Sequence, residues 1–265
     1  MVLMTMARPI VGDVTRLRGE LRRPGGNCKG LLMTLDEAKK LVAKVPHWHH
    51  AFEIYPGVVT PGSYDPDFLL EKMRLPPNLK GTRVLDVGTS DGFFTLRLAQ
   101  RGGEVVAVDY RGKREHGYYV TEELNELSVD YYQMNVYDIN PRQLGYFDII
   151  LFTGVLYHLP DMIKGLHAVR QCCSGTLFVE THSENEFCPD VAAARYYQGA
   201  TLANDHTNFW APNRLCVMDM LYDTGFDVVR DEVWSDRLFV EAKAVETDGL
   251  RKQKMQLGYR LIGGT

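Results

Sequence analysis

Short apolar runs recur along this chain, separated by stretches whose apolar residues fall three or four apart. Arg83–Val87, Glu104–Asp109, Val129–Met134, Phe147–Phe152 and Gly175–Thr181 are nearly continuous in hydrophobic side chains. Such runs suit strands covered on both faces rather than one. Helical spacing occupies Phe93–Arg101, Thr121–Leu127, Asp161–Cys173, Val191–Gln198 and Asn213–Asp223. Strands alternating with helices predict a mostly parallel sheet. Two further strands, Phe226–Val233 and Arg237–Val245, are joined only by Trp234-Ser235-Asp236. A parallel pair needs a long crossover, so these two must be antiparallel. The pattern is that of an α/β, Rossmann-like domain with a seven-stranded, mostly parallel sheet whose last strand is antiparallel.

Ahead of this domain, Thr34-Leu35-Asp36-Glu37 forms a capping box, which predicts an amphipathic helix to about Val45 with Leu35, Ala38, Leu41 and Val42 on one face. Pro46 stops it. The stretch HWHHAFEIYPGVVTPGSYDP then turns at Pro56-Gly57 and Pro61-Gly62 and is rich in aromatic and histidine residues, the composition of a functional lid. The expected organisation is an N-terminal arm, helix and lid over 1–79, a catalytic domain over 80–246 carrying an insertion at 183–211, and a C-terminal tail over 247–265.

Composition narrows the class. With 265 residues and 45% hydrophobic content, the chain can bury one large core but not two. A formal net charge of −4 gives no global attraction to nucleic acid. Arg8, Arg16, Arg18, Arg22, Arg23 and Lys29 outnumber Asp13 and Glu20 before residue 30, a local exception that reads as a solvated arm. The five cysteines, Cys28, Cys172, Cys173, Cys188 and Cys216, show no C-x-x-C spacing and read as reduced thiols. No apolar run reaches the roughly 18 residues of a membrane span, so a cytoplasmic location is expected.

The chemistry concentrates at Leu85–Phe94, LDVGTSDGFF, where a buried strand breaks into a glycine turn and opens a helix. Gly88 and Gly92 lack a Cβ, so a ligand can approach bare backbone there. The next strand ends in Asp109, suited to the hydroxyl pair of a ribose. A nicotinamide site wants G-x-G-x-x-G, whereas here Asp86 precedes glycines spaced four apart. An acid in that place repels a pyrophosphate and suits a cationic amino group. S-adenosylmethionine carries such a group and no phosphate.

Four ordered motifs carry a family resemblance over about Pro46 to Val245: Trp48-x-His50 before Gly57–Gly62, LDVGTSDGFF, Gly154–Asp161 (GVLYHLPD), and Phe209–Leu215 with Gly225-Phe226. The chain resembles class I S-adenosylmethionine-dependent methyltransferases of the tRNA wobble-uridine methyltransferase-like group, related to the wobble-uridine carboxymethyltransferase. The resemblance implies S-adenosyl-L-methionine as cofactor, with Asp86, Gly88, Thr89, Ser90, Gly92 and Phe93 around its methionine part, Ser90 standing where a glycine is usual. It implies Asp109 on the ribose, Tyr110 and Val136 at the adenine, and Asn135 where the family has an acid. Thr153 and Gly154 would close the floor, and Trp48 and Tyr64 would cover the cofactor.

A carboxymethyl donor needs a cationic clamp for its carboxylate. Relatives use a tyrosine, an arginine and a lysine; Tyr157 and Arg237 match the first two, but the lysine position falls at about His49, and no lysine occurs between Lys44 and Lys72. Plain methyl transfer to a small-molecule acceptor, most simply at oxygen, is therefore expected ahead of tRNA wobble-uridine methyl or carboxymethyl transfer. A non-catalytic cofactor-binding scaffold is the third reading. A hydroxyl acceptor needs a base, for which His158 and His182 are candidates at the carboxyl edge of the sheet, with Tyr157 beside them. His49, His50, Tyr197, Trp210 and Arg237 are the expected acceptor contacts. His49, His50, Glu180, His182, Asp205 and His206 also invite a metal reading, but no H-x-x-x-H or H-E-x-x-H spacing supports it, and no metal is expected. No membrane partner is expected, and a homo-oligomer is compatible with the composition.

Overall fold

The computed structural model describes residues 33–261; the basic arm and Cys28 lie outside them. Helix α1 spans Leu35–Val42, opened by the expected capping box, in which Thr34 Oγ1 accepts the Glu37 N–H and Glu37 accepts the Thr34 N–H at 2.8 Å. It ends three residues short of Val45, and Leu35 lies exposed on its outer side while Ala38 and Val42 are buried. A small hairpin, β1 (Glu53–Tyr55) and β2 (Val58–Val59), and the short helix α2 (Asp67–Lys72) complete the N-terminal segment.

The main domain then follows the alternation of the sequence. It runs β3 (Arg83–Val87), α3 (Phe93–Gln100), β4 (Glu104–Asp109), α4 (Tyr118–Leu124), β5 (Asp130–Gln133), α5 (Pro141–Leu144), β6 (Phe147–Thr153), α6 (Met162–Cys172) and β7 (Cys173–His182). After a hairpin of β8 (Ala194–Tyr196) and β9 (Trp210–Pro212) come α7 (Arg214–Asp223), β10 (Phe226–Trp234), β11 (Arg237–Ala244) and α8 (Gly249–Leu261). The seven-stranded sheet has the order β10-β11-β7-β6-β3-β4-β5. All neighbours are parallel except around β11, which runs antiparallel to both β7 and β10. This is the Rossmann-like class I methyltransferase fold, with the last strand reversed as the short 234–236 turn requires.

Both sheet faces are buried, and alternate strand residues go to opposite cores. Leu85 and Val87 of β3, Ile150 and Phe152 of β6 and Leu177 and Val179 of β7 pack with α6 and α7. Val84, Leu151 and Phe178 face the other way, into a core shared by α3 and the N-terminal segment through Phe93, Phe94, Trp48 and Phe52. Residues 33–79 are thus built into the domain's own core.

One expected element fails, and the C-terminal tail carries an element the sequence did not suggest. Val191–Gln198 is no helix but contains β8, whose Tyr196 pairs with Trp210 and Ala194 with Pro212. The alanine-rich stretch favours helix locally, yet Asn213, the side-chain cap of α7, accepts the Ala193 N–H at 3.2 Å while its own N–H bonds Ala193 O at 2.9 Å. Tertiary pairing overrides a weak propensity. The tail after 247 contains α8, held by Arg251, whose guanidinium donates to Tyr222 O and Phe226 O at 2.6 and 2.8 Å.

Candidate cofactor and acceptor site

The turn after β3 is left-handed at three positions, Gly88 (φ +76°), Ser90 (φ +50°) and Gly92 (φ +82°). A Cβ on Gly88 would come 2.6 Å from Val155 Cγ2, and one on Gly92 would meet Tyr118 Cδ2 at 2.9 Å. Ser90 therefore keeps the backbone that the expected glycine would take, with its N–H fixed by Asp109 Oδ2 at 3.0 Å. The Gly88 N–H is occupied by Val108 O at 2.8 Å, which ties the turn to the end of β4.

Asp86 lies beneath this turn, almost fully buried. Its Oδ2 accepts the Thr95 hydroxyl at 2.6 Å, and Oδ1 is buried with no hydrogen-bond partner among the described residues. Burial pushes this carboxyl up to about 6, against the lowering effect of the Thr95 and Thr89 hydroxyls. A buried carboxylate oxygen without a donor calls for a cationic or N–H-bearing complement. The amino group of S-adenosylmethionine has that chemistry, so the residues present fit it.

Asp109 is buried, its two oxygens taking the backbone N–H groups of Ser90 and Arg111, each at 3.0 Å. Oδ1 also accepts the Arg111 Nε–H at 3.5 Å, while Oδ2 keeps a second lone pair for a ribose hydroxyl. The Tyr110 ring beside it is exposed, with the Arg111 guanidinium 5.2 Å from its centroid. Asn135 is exposed and caps the turn Val136–Asp138 by accepting the Tyr137 N–H at 3.0 Å, while Val136 is buried. Across the sheet, Gly154 (φ +69°) follows Thr153 at the end of β6, and no atom lies within 4 Å of where its Cβ would be.

Three predicted contacts are corrected. Trp48 does not cover this edge. It is buried, donates Nε1–H to Val42 O at 3.1 Å and lies so close to Gly117 that a Cβ there would sit 2.3 Å from its ring. Phe93 is fully buried against Phe52, with ring centroids 5.3 Å apart, leaving only its backbone at the turn. His50 is buried between Phe93 and Phe94, each 6.0 Å away, and burial lowers its pKa well below the ordinary imidazole value.

The residue that places this segment is Asp91, inside the glycine turn. Its Oδ2 accepts the backbone N–H groups of His49 and His50 at 2.6 and 2.9 Å. This bond pair carries His49 to the carboxyl edge, stacked on Tyr64 at 5.8 Å, and Tyr64 pairs with His50 through an isolated bridge. The Tyr64 hydroxyl is buried without a hydrogen-bond partner among the described residues, and burial followed by the nearby Glu180 charge raises its pKa. Asp91 escaped the sequence reading, although a second acid in the motif, between Ser90 and Gly92, was a visible signal.

At the ends of β6, β7 and β11 a second group assembles. Arg237 makes a two-pronged ion pair with Glu180, its Nη2 2.8 Å from Oε2, and its guanidinium lies 5.0 Å from the Tyr157 ring centroid. Glu180 also accepts the Gly154 N–H at 3.1 Å. Tyr157 packs on His158 at 4.0 Å and on His182 at 6.1 Å, and burial raises its pKa. Tyr197 is 6.2 Å from His182, with its hydroxyl on Glu184. Trp210 stands further out, against Tyr196 at 5.0 Å, its Nε1–H on Pro160 O at 3.2 Å. Burial lowers the pKa of His49, His158 and His182 alike, so all three are neutral at pH 7. No three His, Cys, Asp or Glu residues are disposed to hold a metal ion among the described residues.

Comparison with known proteins agrees with this geometry. A family model described as a methyltransferase domain matches residues 64–231. A ubiquinone biosynthesis O-methyltransferase of Xanthomonas campestris pv. campestris (strain B100) is 32% identical over 137 residues, covering 49% of this chain and 54% of the relative. A tRNA U34 carboxymethyltransferase of Desulfotalea psychrophila (strain LSv54 / DSM 12343) is 24% identical over 153 residues, or 57% of this chain and 47% of the relative. The chain thus spans about half the length of these curated relatives. Among solved structures, the N-terminal domain of EvdMO1 with SAH bound superposes with a TM-score of 0.62 at 17% identity, covering 82% of this chain and 98% of that one.

Proposed function

The chain belongs to the methyltransferase-domain family, and on that premise we propose that it methylates a hydroxyl of a small molecule using S-adenosylmethionine. When bound, S-adenosylmethionine supplies a methyl group already activated by its sulfonium. The chain's own residues hold and orient. Asp86 and the backbone of Gly88–Gly92 receive the amino-acid part, Asp109 the ribose, and Tyr110 with Val136 the adenine. Thr153 and Gly154 form the floor, and Tyr64 and His49 close the lid side. Tyr157, Tyr197 and the two histidines of the carboxyl edge surround the acceptor.

The observation that carries the choice of donor is the Glu180–Arg237 pair. An arginine already bidentate to a buried carboxylate has no net charge to offer a second one. With no lysine between residues 44 and 72, a carboxylated donor would find no free cation in this clamp. A methyl donor needs none. Support for a small-molecule acceptor comes from the ubiquinone biosynthesis relative, and from the net charge of −4, which opposes binding to a polyanion. No helix among the described residues is long and apolar enough to cross a membrane. A cytoplasmic setting accords with the four free cysteines of the described residues.

The reading is tested by incubating the protein with methyl-tritiated S-adenosylmethionine and fractionated cell extract. Label in the small-molecule fraction is expected. Label recovered in the tRNA fraction would contradict it and restore the wobble-uridine reading, which the Tyr157–Arg237 placement otherwise resembles.

A further inference from the structure

His182 is the last residue of β7, and its register partner across the antiparallel ladder is Arg237, the first residue of β11. That pairing brings the 234–236 turn over the end of β7, where Ser183 N–H bonds Asp236 O at 2.8 Å. The Asp236 side chain consequently lies with Oδ2 3.3 Å from His182 Nδ1. On the other side of the ring, Nε2 is buried and has no hydrogen-bond partner among the described residues. A carboxylate can only accept, so pairing with Asp236 would place the neutral ring's proton on Nδ1 and its lone pair on Nε2. That lone pair is on the nitrogen away from Asp236, in a ring flanked by Tyr157 and Tyr197.

His158, the other histidine of this edge, is held differently. Its Nδ1–H meets Thr207 O at 3.0 Å, Thr207 Oγ1 donates to Asp205 Oδ1 at 2.7 Å, and the Phe209 N–H bonds Tyr157 O at 3.0 Å. These bonds fasten the 205–209 segment down onto the edge, which makes His158 an anchor for that segment.

We propose that His182 is the proton acceptor for methylation of an acceptor hydroxyl, that Asp236 is its positioning residue, and that His158 holds the insertion instead. The inference rests on the methyl-transfer reading above. In the step, the acceptor O–H proton passes to His182 Nε2 as the oxygen forms its bond to the incoming methyl. The donor's sulfur–methyl bond breaks with its electron pair left on sulfur, and the imidazolium then returns its proton to solvent. Asp236 keeps the ring in the productive tautomer and stabilises the transient positive charge, a division of labour long known from histidine–carboxylate pairs. The charged groups around His182 are Asp236 and Arg237 from the hairpin and Glu184 beyond β7.

The test joins a spectroscopic and a kinetic measurement on the full chain. With ¹⁵N-labelled histidine and saturating S-adenosylhomocysteine, the His182 ring, assigned with His182→Gln, should be neutral at pH 7 and protonated on Nδ1. Asp236→Ala, at an exposed side chain, should fold and move protonation toward Nε2. A ring protonated on Nε2 in the native protein, or unchanged by Asp236→Ala, overturns the pairing. Failure of S-adenosylhomocysteine to bind in the same samples would instead count against the methyl-transfer reading. Single-turnover transfer to catechol, a sugar glycoside and aniline is then compared. His182→Ala should lower transfer to the hydroxyl probes by roughly 10² to 10⁴-fold without changing cofactor affinity, and Asp236→Ala by less. Equal rates in His182→Ala, or transfer to aniline alone, overturn the proposal, since an amine lone pair needs no base.

Discussion

Asp86 shows how one buried atom sets a measurable property. Its pKa lies at about 6 in the folded protein, above the ordinary carboxylate value. The folded state therefore binds this proton more tightly than the unfolded state, and the stability it contributes is full below the ordinary value and lost as pH rises through about 6. A cationic ligand reverses the preference. S-adenosylhomocysteine should bind more tightly at pH 7.5 than at pH 5, by up to about tenfold, because pH 5 lies about one unit below the folded pKa. Titration calorimetry at the two values measures this, and Asp86→Asn should flatten the dependence; an unchanged slope in that variant would remove Asp86 from the amino-group site. Asp109→Ala should weaken cofactor binding by about 1.5–3 kcal/mol, the scale of charge-assisted hydrogen bonds. It also releases the N–H of Ser90, so the loss should be at least tenfold in dissociation constant. At this scale the sequence was informative where a residue type is required by its backbone or charge, as at Gly88, Gly92, Asp86 and Asp109. It misplaced Trp48, Phe93 and His50, because aromatic rings near a ligand motif and aromatic rings in the adjoining core have the same composition. Only packing separates them.

Among elements, the lid is packed into the core and is tied to the glycine turn by contacts that can be cut singly. Asp91 Oδ2 takes two backbone N–H groups from the segment carrying His49 and Tyr64. Asp91→Ala leaves both donors without this partner, and for the buried His50 N–H the cost is about 1–3 kcal/mol. Hydrogen exchange should accelerate across residues 49–65 while the strands of the main sheet keep their protection; uniform acceleration would mean a global defect instead. Gly117→Ala tests the same interface from the other side. The backbone there tolerates alanine, but its Cβ would press on the Trp48 ring. Overpacking of this kind costs about 1–3 kcal/mol, so the melting temperature should fall, and an unchanged value would show that Trp48 can retreat. Element type was legible wherever periodicity was long and both sheet faces were apolar, as in β3, β4, β6 and β7. Boundaries moved by one to three residues, and the alanine-rich stretch at 191–198 was misread because the partner that makes it a strand, Trp210–Pro212, lies far along the chain. The helix α8 was missed for a related reason: its attachment through Arg251 and Tyr259 leaves little apolar periodicity to read.

For the molecule as a whole, topology turns a list of motifs into one site. The sheet order places the ends of β3 and β4 beside β6 and β7, and the reversed β11 returns Arg237 and Asp236 to the same edge. Groups far apart in the chain thus lie along one sheet edge, the edge at which open α/β sheets bind ligands. The reversed strand also carries the proposed choice of donor, because it brings Arg237 onto Glu180. That pairing could not be seen in the sequence, where Arg237 stood as a match to the carboxylate clamp and Glu180 as a candidate metal ligand. The most direct measurement is a competition titration of the full chain with S-adenosylmethionine and its carboxylated form. The neutralised arginine predicts that S-adenosylmethionine binds at least as tightly. Tenfold or greater preference for the carboxylated form would contradict the account, showing that Arg237 leaves Glu180 to serve the donor.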